Sequence, residues 1–229
     1  MRVAVMQPYF FPYIGYWQLV NDVDSFVIYD DVNFIKKGFI NRNNILQNQR
    51  SHLFTLELIG ASQNKKINEI KIGGNSNKLL RTIKQNYSKA PFYKDVFPLL
   101  EEILGNKEKD LSRFIGFSLI GVSRYLDINT NFLYSSDLHN DKSLKAQERI
   151  IEISKILNAT DYINAIGGIE LYDKEVFSQN DINLSFLKST EIPYKQFNNE
   201  FIPNLSIIDI LMFNSKDKIK NMLNQFQLI

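Results

Sequence analysis

Two stretches near the N-terminus concentrate the side chains that could bind or transform a ligand. The first runs from Gln7 to Gly15, Gln-Pro-Tyr-Phe-Phe-Pro-Tyr-Ile-Gly, with Tyr16 following. Its rings offer flat faces to a cyclic ligand, with hydroxyls at Tyr9, Tyr13 and Tyr16. Pro8 and Pro12 fix two backbone φ angles and stiffen the loop, and Gly15 permits close approach of a helix or ligand. A polar amide straight after a buried strand, as at Gln7, either bonds backbone or meets a ligand. Phe10, Phe11 and Trp17 are read as core, because large aromatics dominate protein interiors. Gln7 and Tyr9 are read as ligand-facing.

The second stretch, Asp30–Asn43, packs Asp30, Asp31, Lys36, Lys37, Arg42, Asn33, Asn41 and Asn43 into fourteen residues. Arg42 can clamp a phosphate or carboxylate with two parallel bonds. An Asp beside Lys36 can accept a proton or hold an ammonium or hydroxyl, and Asn can fix sugar hydroxyls. A charge run is usually only a solvated turn, whose surface ion pairs stabilise little. Here Phe34, Ile35, Phe39 and Ile40 are interleaved and would anchor the segment, which favours a site. Gly167 and Gly168 precede a helix and could offer amides to an anion, although a plain turn explains them equally well. Gln196 is read as paired within a strand, and Lys145 as solvated.

The elements that position these residues follow from periodicity. Val3–Met6 and Ser25–Tyr29 read as buried strands and Tyr13–Val20 as a helix between them. His52–Leu58, Ile67–Ile72, Asn131–Tyr134, Asp161–Ile166 and Ile182–Leu187 read as further strands. Helices are expected from Asn75 or Ser76 to about Tyr87, at Phe92–Leu104 and Leu111–Leu126, after a cap at Asp141 or Ser143, at Leu171–Gln179 and at Lys216–Phe226. Strands alternating with helices predict a single α/β domain over 1–229, with a mostly parallel sheet covered by helices and a more helical middle. The region from Asp30 to Ile72 could add an antiparallel portion. In a parallel sheet both polar loops then lie at carboxyl ends of strands, where ligands usually bind.

Composition narrows the chemistry. The 229 residues carry 27 Lys and Arg against 25 Asp and Glu, which gives no global attraction to nucleic acid or anionic membrane. Cys is absent and there are two His, so disulfides and thiol nucleophiles are excluded and no tightly held metal is expected. His52 and His139 are assigned surface or structural roles. Mg²⁺ held loosely by Asp30 and Asp31 beside a phosphate stays open. No apolar run approaches the roughly 20 residues of a membrane span, and the N-terminal one is too short for a signal peptide. The expectation is a soluble cytoplasmic protein.

The layout of a strand, then Pro and Ile-Gly-Tyr opening a helix, then a strand ending in Asp is similar to nucleotidylyltransferases and class I aminoacyl-tRNA synthetases. Their His-Ile-Gly-His signature meets Tyr13 and Tyr16 at both His positions here. That likeness implies a Rossmann-like N-terminal half and gives little support to adenylylation. A closer resemblance covers essentially the whole chain. The motif from Gln7 to Tyr16, Phe26-Val-Ile-Tyr-Asp-Asp-Val, and Ile35-Lys-Lys-Gly-Phe-Ile-Asn-Arg-Asn together resemble the WbqC-like protein family. Lys89-Ala-Pro-Phe-Tyr, Gly167-Gly168 with Tyr172, Tyr194-Lys-Gln and Phe201-Ile-Pro-Asn-Leu-Ser-Ile-Ile-Asp add to the match. The family pattern weights Gln7, Pro12, Gly15, Asp30, Asp31, Lys36, Asn41, Arg42 and Asn43. It often has Arg at Lys37 and Trp at Phe39, and Lys cannot replace a bidentate Arg contact.

The resemblance implies a protein of bacterial O-antigen or other surface-polysaccharide clusters. It further implies an acyl or aminoacyl transferase, for instance of glycine, acting on a nucleotide-linked or lipid-linked amino sugar. On that reading Asp30, Asp31 and Lys36 are catalytic, with one Asp as general base and the other structural. Gln7, Tyr9, Tyr13, Gly15, Asn41, Arg42, Asn43, Gly167 and Gly168 bind substrate. The donor stays open among acyl-coenzyme A, aminoacyl-tRNA and ATP with free acid, and aminoacyl-tRNA would be the one nucleic-acid partner. The alternative is a non-catalytic protein that binds sugar or nucleotide sugar within an assembly complex.

Overall fold

Val3, Ala4 and Val5 have no polar side chain to solvate, and all three are buried in the first strand, β1 (Arg2–Met6). The computed structural model describes residues 1–198 and 200–229. After β1 come α1 (Ile14–Asp22), β2 (Ser25–Ile28), β3 (Arg42–Gln47), β4 (Arg50–Thr55), β5 (Leu58–Ile59) and β6 (Lys71–Ile72). A helical stretch follows, with α2 (Ser76–Tyr87), α3 (Tyr93–Leu104) and α4 (Leu111–Tyr125). The remainder is β7 (Asn131–Tyr134), α5 (Ala146–Ile156), β8 (Asp161–Ala165), α6 (Lys174–Ser178), β9 (Asn183–Ser189), α7 (Ile207–Phe213), α8 (Lys216–Leu223) and β10 (Phe226–Leu228).

Six strands form the central sheet in the order β10-β9-β8-β1-β2-β7, all parallel except β10. From β1 the chain builds outward to β2 and β7, then returns to the other side of β1 with β8 and β9. The direction of building therefore reverses between β1 and β8, and ligands bind by preference at the carboxyl edge of such a switch.

Successive side chains of a strand face opposite ways, and the two cores divide accordingly. Ala4, Phe26 and Ile28 pack with α1, α3, α4, α7 and α8 on one face. Val3, Val5, Val27 and Tyr162 pack with Ile150 and Ile153 of α5 and Phe177 of α6 on the other. The α/β architecture with a mostly parallel sheet is thus the one the alternation predicts.

Several details differ from the sequence reading. The antiparallel portion exists, but as two separate two-stranded sheets, β3–β4 and β5–β6. β3 occupies residues read as irregular, and Ile67–Ile72 holds a short 3-10 turn before the two-residue β6. Neither Asp141 nor Ser143 caps α5. They bond to each other in a turn, and Lys145 stands at the cap position. The last helix stops at Leu223, and β10 follows it antiparallel to β9. No helix among the described residues is long and apolar enough to cross a membrane.

Candidate functional site at the carboxyl edge of the sheet

Pairing of Met6 with Ile28 in the parallel β1–β2 ladder brings Gln7 and Asp30 to the same edge of the sheet. The first loop is held there almost carbonyl by carbonyl. Gln7 O accepts the Tyr16 hydroxyl at 2.9 Å, and Pro12 O accepts Trp17 Nε1–H at 3.1 Å and Ile207 N–H at 3.0 Å. Asn43 Nδ2 donates to Phe11 O at 2.8 Å and Phe10 O at 3.3 Å, while Ser206 Oγ donates to Phe11 O at 2.8 Å. Phe10 N–H reaches Phe39 O at 3.0 Å. This clamp holds Phe11 at φ +44°, a left-handed backbone that costs a bulky residue about 1–3 kcal/mol. Phe10 and Phe11 are fully buried, as their size suggests.

The second loop divides its residues between two tasks. Asp30 Oδ1 accepts Ser136 N–H at 3.0 Å, and Oδ2 accepts the Ser136 hydroxyl at 2.8 Å. Ser135 Oγ accepts Asp30 N–H at 3.2 Å and lies 3.1 Å from Asp30 Oδ1 but 2.6 Å from Asp31 Oδ1. Its single proton goes to the nearer oxygen. Asp31 Oδ2 takes Arg149 Nη2–H at 2.6 Å, with Lys142 Nζ 3.9 Å away. Asp31 and Arg149 are both buried. Burial would raise the Asp31 carboxyl, but the bonds from Ser135 and Arg149 and the Arg149 charge outweigh it and hold it below its usual range. Arg149 also reaches Asn140 Oδ1 at 2.9 Å and stacks over Tyr29, 5.1 Å from the ring centre. The adjacent aspartates share Ser135, and of the two Asp31 has the cation beside it. The cation is Arg149 of α5, which no sequence motif singles out.

Other candidates are structural or open. Asn41 Nδ2 donates to Leu56 O at 2.8 Å, fastening the loop to the chain after β4. Arg42 Nε donates to Gly38 O at 3.0 Å and is half-buried. Lys36 and Lys37 are exposed, as is Phe39. Gly15 lies under the Tyr13 ring, where a Cβ would come within 2.6 Å of it. Gly167 and Gly168 end a short 3-10 turn after β8, and α6 begins only at Lys174, so they do not open a helix. Gln196 is not in a strand. It is buried in a loop, with Nε2 donating to Asp209 Oδ2 at 2.7 Å and Oε1 accepting Ile202 N–H at 2.7 Å. No group of three or more His, Asp or Glu side chains among the described residues is placed to hold a metal ion.

Two hollows open beside the switch. One of about 280 Å³ is lined by Tyr13 and Ile14, Ile166 beyond β8, Ser189, Thr190 and Glu191 after β9, and Tyr194, Phe201 and Ile210. The other, about 350 Å³, lies among Tyr9, Pro12, Tyr13, Phe39, Asn43 and Asn204. Tyr13 and Asn204 line both, so the two adjoin. Tyr9 packs on Tyr16 at 5.5 Å and on Phe39 at 6.2 Å, and burial raises its hydroxyl's pKa, with Tyr13 adding to the shift. Of the residues singled out in the sequence, Tyr9, Tyr13 and Asn43 line these hollows, and Gln7, Gly15, Asp30, Asp31, Lys36, Asn41, Arg42, Gly167 and Gly168 line neither. Tyr194, Phe201 and Asn204 sit in the C-terminal segment whose motifs are legible in sequence without a role attached.

The fold is an α/β one, with a mostly parallel six-stranded sheet and a cleft walled by Tyr13, Tyr194 and Phe201. The chain belongs to the WbqC-like protein family, whose model matches residues 7–221. It is also 29% identical over 217 residues to Rv1507c of Mycobacterium tuberculosis H37Rv, a protein described as uncharacterized, with 92% of each chain covered. No solved structure matches the chain.

Proposed function

We propose that this protein is a transferase of surface-polysaccharide assembly that moves an acyl or aminoacyl group, such as glycyl, onto an amino sugar carried on a nucleotide or lipid. The pair of adjoining hollows at the sheet switch carries this reading. Together they have the size of a small-ligand site. Tyr13, Tyr194 and Phe201 offer flat walls to a sugar ring, and Ser189, Thr190 and Glu191 in the same lining offer polar partners. The second hollow ends at Phe39, in the turn that carries Lys36 and Lys37 and is bonded to Arg42. The lining of the hollow itself is uncharged, so in this reading the carrier's phosphates reach past Phe39 to Lys36 and Lys37, which are exposed in that turn.

Asp30 and Asp31 serve this site by fixing the edge of the sheet, since their oxygens are already engaged. The experiment is to incubate the purified chain with nucleotide-linked and lipid-linked amino sugars and, in turn, an acyl-coenzyme A, an aminoacyl-tRNA, or ATP with free acid. Mass spectrometry should show the acyl increment on the sugar. Tight binding of the sugar nucleotide with no product from any donor would make the protein a non-catalytic carrier instead, and absence of both would end the reading.

A further inference from the structure

Asp209 is fully buried on α7, and among the described residues no Lys, Arg or His lies within ion-pair distance of it. Its partners are three neutral donors. Tyr87 Oη donates to Oδ1 at 2.8 Å, and Tyr194 Oη and Gln196 Nε2 donate to Oδ2 at 2.6 Å and 2.7 Å. Tyr87 Oη accepts Leu46 N–H at 2.8 Å, so its own proton is committed to Asp209. Burying a carboxylate without a cation is costly, and burial holds this carboxyl above its usual range against the pull of the three donors.

The carboxylate stands directly behind the cleft. Tyr194 and Ile210, the residue after Asp209, both line it. Tyr194 gives its proton to Asp209, and Gln196 Nε2, 3.3 Å from the Tyr194 oxygen, sends its protons to the closer Asp209 Oδ2 and to Ile202 O at 3.1 Å. The Tyr194 oxygen therefore keeps a lone pair for an incoming N–H or O–H donor.

We propose that Tyr194, held by Asp209, is the proton acceptor for an amine-bearing sugar in this cleft. The proposal rests on the transferase reading above. The sugar nitrogen attacks the carbonyl carbon of an activated acyl ester or thioester, forming the new C–N bond. A proton passes from that nitrogen to Tyr194 Oη as the Tyr194 proton passes to Asp209 Oδ2. The C–O or C–S bond breaks with its electron pair on the leaving group, which takes a proton from solvent. Asp209 then returns its proton to Tyr194, whose extra proton leaves through the cleft. Tyr194 is catalytic in this scheme, and Asp209 is a positioning residue and proton store.

The test needs no acyl donor. D-glucosamine and N-acetyl-D-glucosamine, which lacks the free amine, are titrated into the full chain by calorimetry. The expected result is that the wild-type chain binds the free amine at least roughly tenfold more tightly, the scale of one charge-assisted hydrogen bond. Tyr194→Phe should abolish that preference while leaving N-acetyl-D-glucosamine affinity within about twofold. Asp209→Asn should do the same with an unchanged circular dichroism spectrum. If Asp209→Asn fails to fold, Tyr194→Phe alone decides, because Tyr194 is only half-buried. A Tyr194→Phe chain that keeps the amine preference overturns the proposal. Equal binding of both sugars by the wild type overturns it too, while sparing the sugar-cleft reading. Binding of neither sugar removes both.

Discussion

Asp31 and Arg149 form a buried ion pair, to which Ser135 adds a hydrogen bond on the Asp31 side. Their 2.6 Å contact has almost no solvent around it, so removing one partner strands a buried charge. Arg149→Ala should cost about 3–5 kcal/mol, read as a lower urea midpoint at neutral pH. The depressed Asp31 carboxyl gives the pH dependence its sign. Its stabilisation is complete above the unfolded carboxyl value of about 4, and is lost as pH falls below that through the lower folded value. The gap between wild type and Arg149→Ala should therefore narrow in acid. On the ligand side, Arg42→Ala should weaken binding of a nucleoside diphosphate by roughly ten- to a hundredfold in calorimetry. The thermal midpoint should shift little, because among the described residues the Arg42 side chain bonds to Gly38 O alone. At this scale the sequence shows which residues are chemically able. It hides their partners, because Ser135 and Arg149 lie more than a hundred residues from the aspartates they bind.

Elements are legible where their period is clean. α4 repeats its apolar residues at helical steps, and the span expected from them ends within a residue of the observed one. β3 escapes notice because Asn43 and Asn44 look like loop, yet the Asn43 side chain spends its donors on Phe10 and Phe11 rather than on solvent. α7, Ile-Ile-Asp-Ile-Leu-Met-Phe, shows no helical period because it is buried all round. Two substitutions test these packing roles. Asn43→Ala should leave the Phe10 carbonyl without its side-chain donor and the Phe11 carbonyl with Ser206 alone, and cost about 1–3 kcal/mol in denaturant unfolding. Gly116→Ala in α4 would set a Cβ 2.0 Å from the Tyr134 hydroxyl and 3.2 Å from Ile28. Such overpacking costs typically about 1–3 kcal/mol, and a double change with Tyr134→Phe should recover part of it.

Across the whole molecule, stability is centred on β1, which pairs on both sides and is covered on both faces. The β3–β4 hairpin, by contrast, forms a sheet of its own, with Arg50–Leu53 exposed. Hydrogen exchange should be slowest at Val3–Met6 and Ser25–Ile28, and should reach the amides at the Asn48–Gln49 tip long before them. Equal protection of tip and centre would contradict this division. The sheet order itself is not legible in the sequence. Alternation of strands and helices predicts parallel pairing, but only tertiary contacts decide that β8 returns to the far side of β1 and so creates the switch.

The loop after β1 is finished by residues that come far later in the chain. Ser206 and Ile207 supply bonds to Phe11 and Pro12, and until they arrive the strained turn at Phe11 has only its bonds with Asn43, Trp17 and Phe39. A ribosome adding about 5–20 residues per second takes roughly ten to thirty seconds to go from Asn43 to Ser206. Through that interval the nascent chain carries Phe10, Phe11 and Trp17 without their final cover. Synthesis of this protein should accordingly be unusually sensitive to loss of the chaperones that shield aromatic segments during translation.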